Sequence, residues 1–210
     1  MTKTILILNF SSVINEHDIW MERNNVRLNQ IIRGLKKVFE YDFKSNNCDV
    51  LVSDNSCSEL DYRIKEVIPE GVKITCINEN HGSVNKGAGL IHMLEYNKDI
   101  ILQYDYLIYY EPRTLMNTFY FFEKYFENPR SMFIYGDPNN KENTTCFRTG
   151  LFSIKPIDFY EFTKIYTKEK LISEYISIEY PIRDFMINKT EVIDKLDIIW
   201  YPANGEVYHF

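Results

Sequence analysis

Thr4-Ile5-Leu6-Ile7-Leu8-Asn9 is an apolar run that stops on an amide side chain. It is too short for the core of a signal peptide and no small-residue cleavage site follows, so it is predicted to be a buried strand. A strand without inward–outward alternation belongs in a sheet covered on both faces, and such sheets are parallel, with helices between their strands. The residues that follow supply those helices. Val26, Leu28, Ile31, Ile32, Leu35, Val38 and Phe39 recur at helical spacing and predict an amphipathic helix ending near Tyr41. Asp49 to Ser53 is the next strand, closed by the turn-forming Asp54-Asn55-Ser56.

The alternation continues. A helix around Leu60 to Val67 stops before Pro69, and Val72 to Ile77 is a third strand. Gly87 to Tyr96 is helical, with Ser83 or Asn85 as its cap. Tyr106 to Tyr110 is a fourth strand, Thr114 to Phe126 a helix, and Ser131 to Tyr135 and Cys146 to Ile154 are strands. Beyond Pro156 come helices from Ile157 to Tyr166 and from about Tyr180 to Ile187, then a closing strand near Ile198 to Tyr201. This pattern predicts one α/β domain over residues 1–210, built on a mainly parallel sheet flanked by helices. A chain ending at Tyr208-His209-Phe210 is also compatible with the front piece of a longer protein.

Composition narrows the function classes. Hydrophobic residues at 45% and charged residues at 26% exclude a disordered or coiled-coil chain. No run approaches the roughly 18 apolar residues of a membrane span, so no transmembrane segment is expected and the chain reads as cytoplasmic, or host-cytoplasmic if viral. A net charge of -6, with scattered basic residues, argues against a nucleic-acid partner. Cys48, Cys57, Cys76 and Cys146 show no CxxC spacing, so they read as reduced and packed rather than zinc-bound or cross-linked. The 16 Tyr and 14 Phe beside only Ala88 and Ala203 reflect an A/T-rich codon bias rather than chemistry.

The common catalytic motifs are absent. Gly87-Ala88-Gly89 could open a dinucleotide fingerprint, but His92 stands at the third glycine position and the segment follows the third strand rather than the first. There is no Walker lysine motif, HExxH or GxSxG. In open α/β sheets ligands bind beyond the carboxyl ends of the strands, which directs attention to four loops. They begin at Asn9-Phe10-Ser11-Ser12, Asp54-Asn55-Ser56, Asn78-Glu79-Asn80-His81-Gly82-Ser83 and Glu111-Pro112-Arg113-Thr114.

Over about the first 155 residues these loops resemble, in order and spacing, the nucleotide-sugar-dependent glycosyltransferases of GT-A fold. The resemblance rests on Leu51-Val52-Ser53-Asp54-Asn55-Ser56, Asn80-His81-Gly82 with Asn85-Lys86-Gly87-Ala88-Gly89-Leu90, Tyr106 to Leu115, and the acceptor-side-like Thr149-Gly150-Leu151-Phe152. It implies a GT-A-like, Rossmann-type three-layer sandwich and transfer of a sugar from a nucleotide-sugar donor, a UDP-sugar foremost, to a glycan or glycoprotein hydroxyl. The flavour suits a bacterial or large-virus surface-glycan enzyme. It places the donor against Phe10, Ser11, Asp54, Asn80, Lys86, Gly87, Tyr110 and Arg113.

Each residue has a plainer reading beside this one. Asp54 is placed to accept uracil N3–H or a ribose hydroxyl, or simply satisfies its own turn. Lys86, at a helix entry, is a diphosphate ligand or a solvated lysine. The chain has no Asp-x-Asp; Glu111 and Arg113 stand where the family holds a divalent metal, Mn2+ or Mg2+. Either Glu111 helps hold that ion, with the near-terminal His209 as a further ligand, or Arg113 replaces it at the phosphates; the third reading is an ordinary ion pair. An inverting transferase also needs a carboxylate base, for which Glu179 before Tyr180-Pro181 is the first choice and Asp184 the second, unless both are solvated helix charges. Two other readings stand against the glycosyltransferase: a nucleotide-sugar or glycan-binding module that has lost its chemistry, and a nucleotidyltransferase, weaker because no Gly-rich loop follows the first strand.

Overall fold

Strand β1 (Thr4–Phe10) is followed by α1 (Met21–Val38), β2 (Cys48–Asp54), α2 (Tyr62–Lys65), β3 (Lys73–Cys76), α3 (Lys86–Tyr96), α4 (Lys98–Ile101) and β4 (Tyr106–Tyr110). Then come β5 (Leu115–Met116), α5 (Tyr120–Glu127), β6 (Met132–Phe133), β7 (Leu151–Ile154), α6 (Pro156–Ile165), α7 (Lys168–Ser173), α8 (Glu179–Met186), β8 (Glu191–Val192), β9 (Ile198–Trp200) and β10 (Tyr208–His209). This computed structural model describes residues 2–13, 21–136, 144–200 and 208–209.

The main sheet has the order β3-β2-β1-β4-β7-β6-β8. Its first half is parallel: β1 pairs with β2 (Ile7 opposite Leu51) and with β4 (Ile7 opposite Tyr109). Strand β7 is antiparallel to β4, and β6 to β7. The parallel half lines up four strand ends, and the loops that leave them meet at one edge. Alternation along β1 sends Leu6, Leu8 and Phe10 into a core beneath α1 and α5, and Ile5 and Ile7 into a second core beneath α3 and α6. Both faces are thus buried, as the unbroken apolar run requires. The aromatic surplus fills these cores, with Phe133 stacked on Phe147 and Phe152 at 4.8 and 4.9 Å between ring centroids.

Several predicted boundaries move. The helix expected from Thr114 begins only at Tyr120, because Leu115 and Met116 pair with β9 in a small second sheet of order β10-β9-β5. A tertiary partner here overrides an ambiguous local pattern. From the expected strand 146–154 only Leu151–Ile154 is regular, Phe147 bridging to Tyr135 alone. Helices α4 and α7 are of four and six residues, too short to leave a periodic trace in the sequence. Asn85, not Ser83, caps α3: its Oδ1 accepts the Ala88 N–H at 3.1 Å.

Candidate active site

A cavity of about 580 Å3 opens where β1, β2 and β4 end and α3 begins. Its floor is the turn after β4. The Thr114 N–H and hydroxyl both donate to the Glu111 carbonyl, at 3.0 and 2.6 Å, and the Glu111 N–H donates to the Gly150 carbonyl at 2.8 Å. These bonds fix the turn, and α1 braces it from behind: a Cβ on Gly34 would lie 1.7 Å from the Pro112 carbonyl oxygen. Only a residue without a side chain lets the helix approach this backbone so closely.

Within the floor, Arg113 donates to one oxygen of Glu111 through Nη2 at 2.9 Å and Nε at 3.1 Å. Arg27 on α1 and Lys86 at the start of α3 line the same cavity. Burial alone would push the Glu111 carboxyl up, but Arg113, Arg27 and Lys86 together hold it below the usual glutamate value. Burial pushes the Arg27 guanidinium down to about 10, helped by the neighbouring Arg113 and opposed by Glu111 and Asp54. Its Nε donates to the Ser11 carbonyl at 2.5 Å, so α1 positions the first loop as well as the floor. With Arg148, four cations line the cavity against two carboxylates, Glu111 and Glu179, among the described residues.

The nearer wall comes from the loops after β1, β2 and β3. Ser11 Oγ donates to Asn55 Oδ1 at 2.5 Å. Asn80 Nδ2 donates to the Val13 carbonyl at 3.1 Å, while its Oδ1 accepts the Ser83 N–H at 3.1 Å. Asn9 donates through Nδ2 to the Tyr109 hydroxyl at 2.9 Å, and its Oδ1, though buried, has no hydrogen-bond partner.

The far wall carries Glu179, the first residue of α8. Ser177 Oγ donates to its Oε2 at 2.6 Å and Thr149 Oγ1 to its Oε1 at 3.2 Å. Two hydroxyls thus orient this carboxylate while leaving it on the cavity surface, beside the half-exposed ring of Tyr180.

Of the residues singled out from the sequence, Phe10, Ser11, Asn80, Lys86, Glu111, Arg113 and Glu179 all line this one cavity. Four others do not. Asp54 is fully buried and accepts from the Ser56 N–H at 2.8 Å, the Ser56 hydroxyl at 2.6 Å and the Ser12 N–H at 3.3 Å; it satisfies two loops, and Asn55 stands at the cavity instead. Tyr110 points to the opposite face of the sheet, where its hydroxyl donates to the Thr114 carbonyl, and its strand neighbour Tyr109 lines the cavity. Gly87 is a packing residue, since a Cβ there would come within 2.6 Å of Ile178. Asp184 is exposed on α8 and pairs with Arg183 at 2.9 Å. His209 lies on the strand paired with β9, opposite Ile199, and its side chain falls outside the described residues.

Arg27 escaped the sequence reading. It left one signal: it precedes the buried Ile31 and Gly34 by four and seven residues, which puts a charge on the apolar stripe of its helix.

No family model and no curated protein matches the sequence. Solved structures do. A mannosyltransferase from Pyrobaculum calidifontis, solved with GDP-Man and Mn2+, superposes with a TM-score of 0.58 at 11% identity, over 97% of this chain and 58% of that one. TarS of S. aureus gives 0.57 at 13% identity over 93% and 59%. Core-mannan synthase A of Aspergillus fumigatus, in a Mn/GDP form, gives 0.53 at 12% over 95% and 74%. The chain therefore has the GT-A-like fold of nucleotide-sugar glycosyltransferases, and it spans a little under three fifths of the length of the first two structures. Among the described residues no helix is long and apolar enough to cross a membrane.

Proposed function

We propose that this chain transfers a sugar from a nucleotide-sugar donor to an acceptor hydroxyl on a glycan or glycoprotein. The observation that carries the reading is the polarity of the cavity: cations on the floor beneath the start of α3, and an oriented carboxylate on the far wall. A nucleoside diphosphate needs the first and an acceptor hydroxyl the second. Helix α3 begins at Lys86, which lines the cavity, so the positive end of the helix dipole favours a diphosphate there.

In the reaction the bond from the anomeric carbon to the β-phosphate oxygen breaks as the acceptor oxygen attacks in line. Glu179 takes the hydroxyl proton, and the nucleoside diphosphate leaves against Arg113, Lys86 and Arg27. A divalent ion is what the fold family implies at this place, but the described residues do not fit one at Glu111. That carboxylate is the only one the turn after β4 carries, Arg113 already holds it, and two more cations face it. In this reading the guanidinium of Arg113 takes over the charge neutralisation, the second of the two arrangements expected from the sequence.

Since Asp54 is enclosed, base recognition passes to Asn55. Asn55 on the cavity offers an amide to the edge of the base, and a UDP-sugar is the donor to test first. Titration calorimetry of UDP, GDP and CMP into chelator-treated protein is expected to give UDP binding that Mn2+ does not improve. Absence of binding by every nucleotide sinks the donor reading. Slow donor hydrolysis that disappears in Glu179→Ala separates an enzyme from a binding module.

A further inference from the structure

We infer that Glu79, His81 and His92 form a binding site for a borderline divalent cation, Zn2+ foremost, on the back of the turn that walls the cavity. The three side chains offer one ligand atom each, all within 4.8 Å of one another. Glu79 Oε2 is 3.3 Å from His92 Nε2 and 3.5 Å from His81 Nε2. Tetrahedral zinc with metal–ligand bonds of about 2.0–2.1 Å places its ligand atoms roughly 3.3–3.4 Å apart, so both spacings from Glu79 are close to those of a filled site. Both Nε2 atoms are covered by protein and have no hydrogen-bond partner. Two imidazoles and a carboxylate form a donor set that suits zinc and its neighbours far better than Mg2+ or Ca2+. Three protein ligands leave a fourth position open.

The backbone holds this geometry ready. The His81 N–H donates to the Glu79 carbonyl at 2.9 Å, folding two ligands two residues apart onto one side of the turn. His92 comes from the middle of α3, and its ring meets His81 edge-on with centroids 4.5 Å apart. The turn is pressed onto the helix: a Cβ on Gly89 would lie 2.7 Å from Gly82. A bound ion therefore clips the turn to α3, and the turn is the one whose Asn80, Gly82 and Ser83 line the cavity. None of the three ligand residues lines the cavity itself.

One neighbour opposes the ion. Lys168 Nζ lies 3.0 Å from His92 Nδ1, so without metal the ammonium donates there and Nε2 carries the ring proton. Metal on Nε2 moves that proton to Nδ1, and Lys168 must swing away.

The test uses the purified full chain after chelator treatment, with Zn2+ titrated by calorimetry and Co2+ followed by visible absorption. One bound ion per chain is expected, with the d–d bands of a tetrahedral centre and no thiolate charge-transfer band. His81→Ala, His92→Ala and Glu79→Gln should each weaken Zn2+ at least as much as the 10–100-fold known for outer-shell changes. Glu79 is largely exposed, so Glu79→Gln keeps the fold even if a histidine variant does not, and circular dichroism verifies this. Lys168→Met should bind Zn2+ more tightly than the wild type. A wild-type chain that binds neither ion, a thiolate band, or a Glu79→Gln chain with wild-type affinity overturns the site. Unchanged or weaker binding by Lys168→Met overturns the use of His92 Nε2.

Discussion

The turns after β2 and β4 begin alike and end differently. Each leaves a parallel strand beside β1, and each carries a carboxylate at the strand end. Asp54 accepts from neutral donors of Ser12 and Ser56 and is not among the residues that line the cavity. Glu111 meets Arg113, Arg27 and Lys86 and lies on the cavity floor. The turn that matches the family's sequence pattern is scaffold, while the turn that departs from it carries the charge. Motif likeness thus picks out loops that meet at one cavity but does not rank the residues within them.

The largest effect is expected where the floor turn meets its brace. Gly34→Ala drives a methyl into the Pro112 carbonyl, a backbone atom that cannot step aside, and should cost about 3 kcal/mol or more. Thermal melting measures that loss. A melting temperature within a degree of wild type would show that α1 does not set the position of the Glu111 turn.

Next comes the scaffold turn. Asp54→Ala strands three donors, two of them backbone N–H groups, in a fully buried place, which should cost roughly 2–3 kcal/mol. Nucleotide affinity, measured at a temperature where the variant is still folded, should change less than threefold by this mechanism. A large affinity loss with unchanged stability would reverse the roles assigned to the two turns.

Much of this was legible in the chain, for identifiable reasons. The apolar run 4–9 and the later runs reveal a parallel sheet because burial on both faces removes alternation. Strand ends then point to the loops, and seven of the singled-out residues reach one cavity. A strand's period of two separates neighbours, so the expected Tyr110 packs in the core beneath α1 while Tyr109 lines the cavity. Asp54 was ambiguous from the start, since a carboxylate after a strand serves its own backbone as readily as a ligand. Arg27 was missed because a helix stripe is read for its apolar members, and a single charge on it draws no notice. The short pair Leu115–Met116 with β9 depends on a partner more than 80 residues later, which no local window contains.

The cavity turn itself is probed by Arg113→Ala. Removing its charge-assisted contacts should weaken UDP by about 10- to 100-fold, read by calorimetry at a temperature where the variant is folded, and should also lower the melting temperature because Glu111 loses its partner. If the variant instead binds as wild type does, the cations beside Glu111 have no part in holding the diphosphate.

Glu111→Gln separates the two roles open to that carboxylate, and its effect is the smallest. If Glu111 held a divalent ion at the diphosphate, removing its charge would weaken the nucleotide. With three cations as the diphosphate partners, the carboxylate only offsets them, and its removal should tighten UDP by roughly 1 kcal/mol, about fivefold. Stability should move the other way. Glu111 titrates below its ordinary value in the folded chain, so its stabilisation is complete above the unfolded glutamate pKa of about 4.3 and is lost as pH falls through the lower folded value. The melting-temperature gap between wild type and Glu111→Gln should therefore be open at pH 7 and close progressively below about pH 4. A gap that stays constant across that range would mean that Arg113, Arg27 and Lys86 do not hold the charge on Glu111, and the contrast between the two turns would fail.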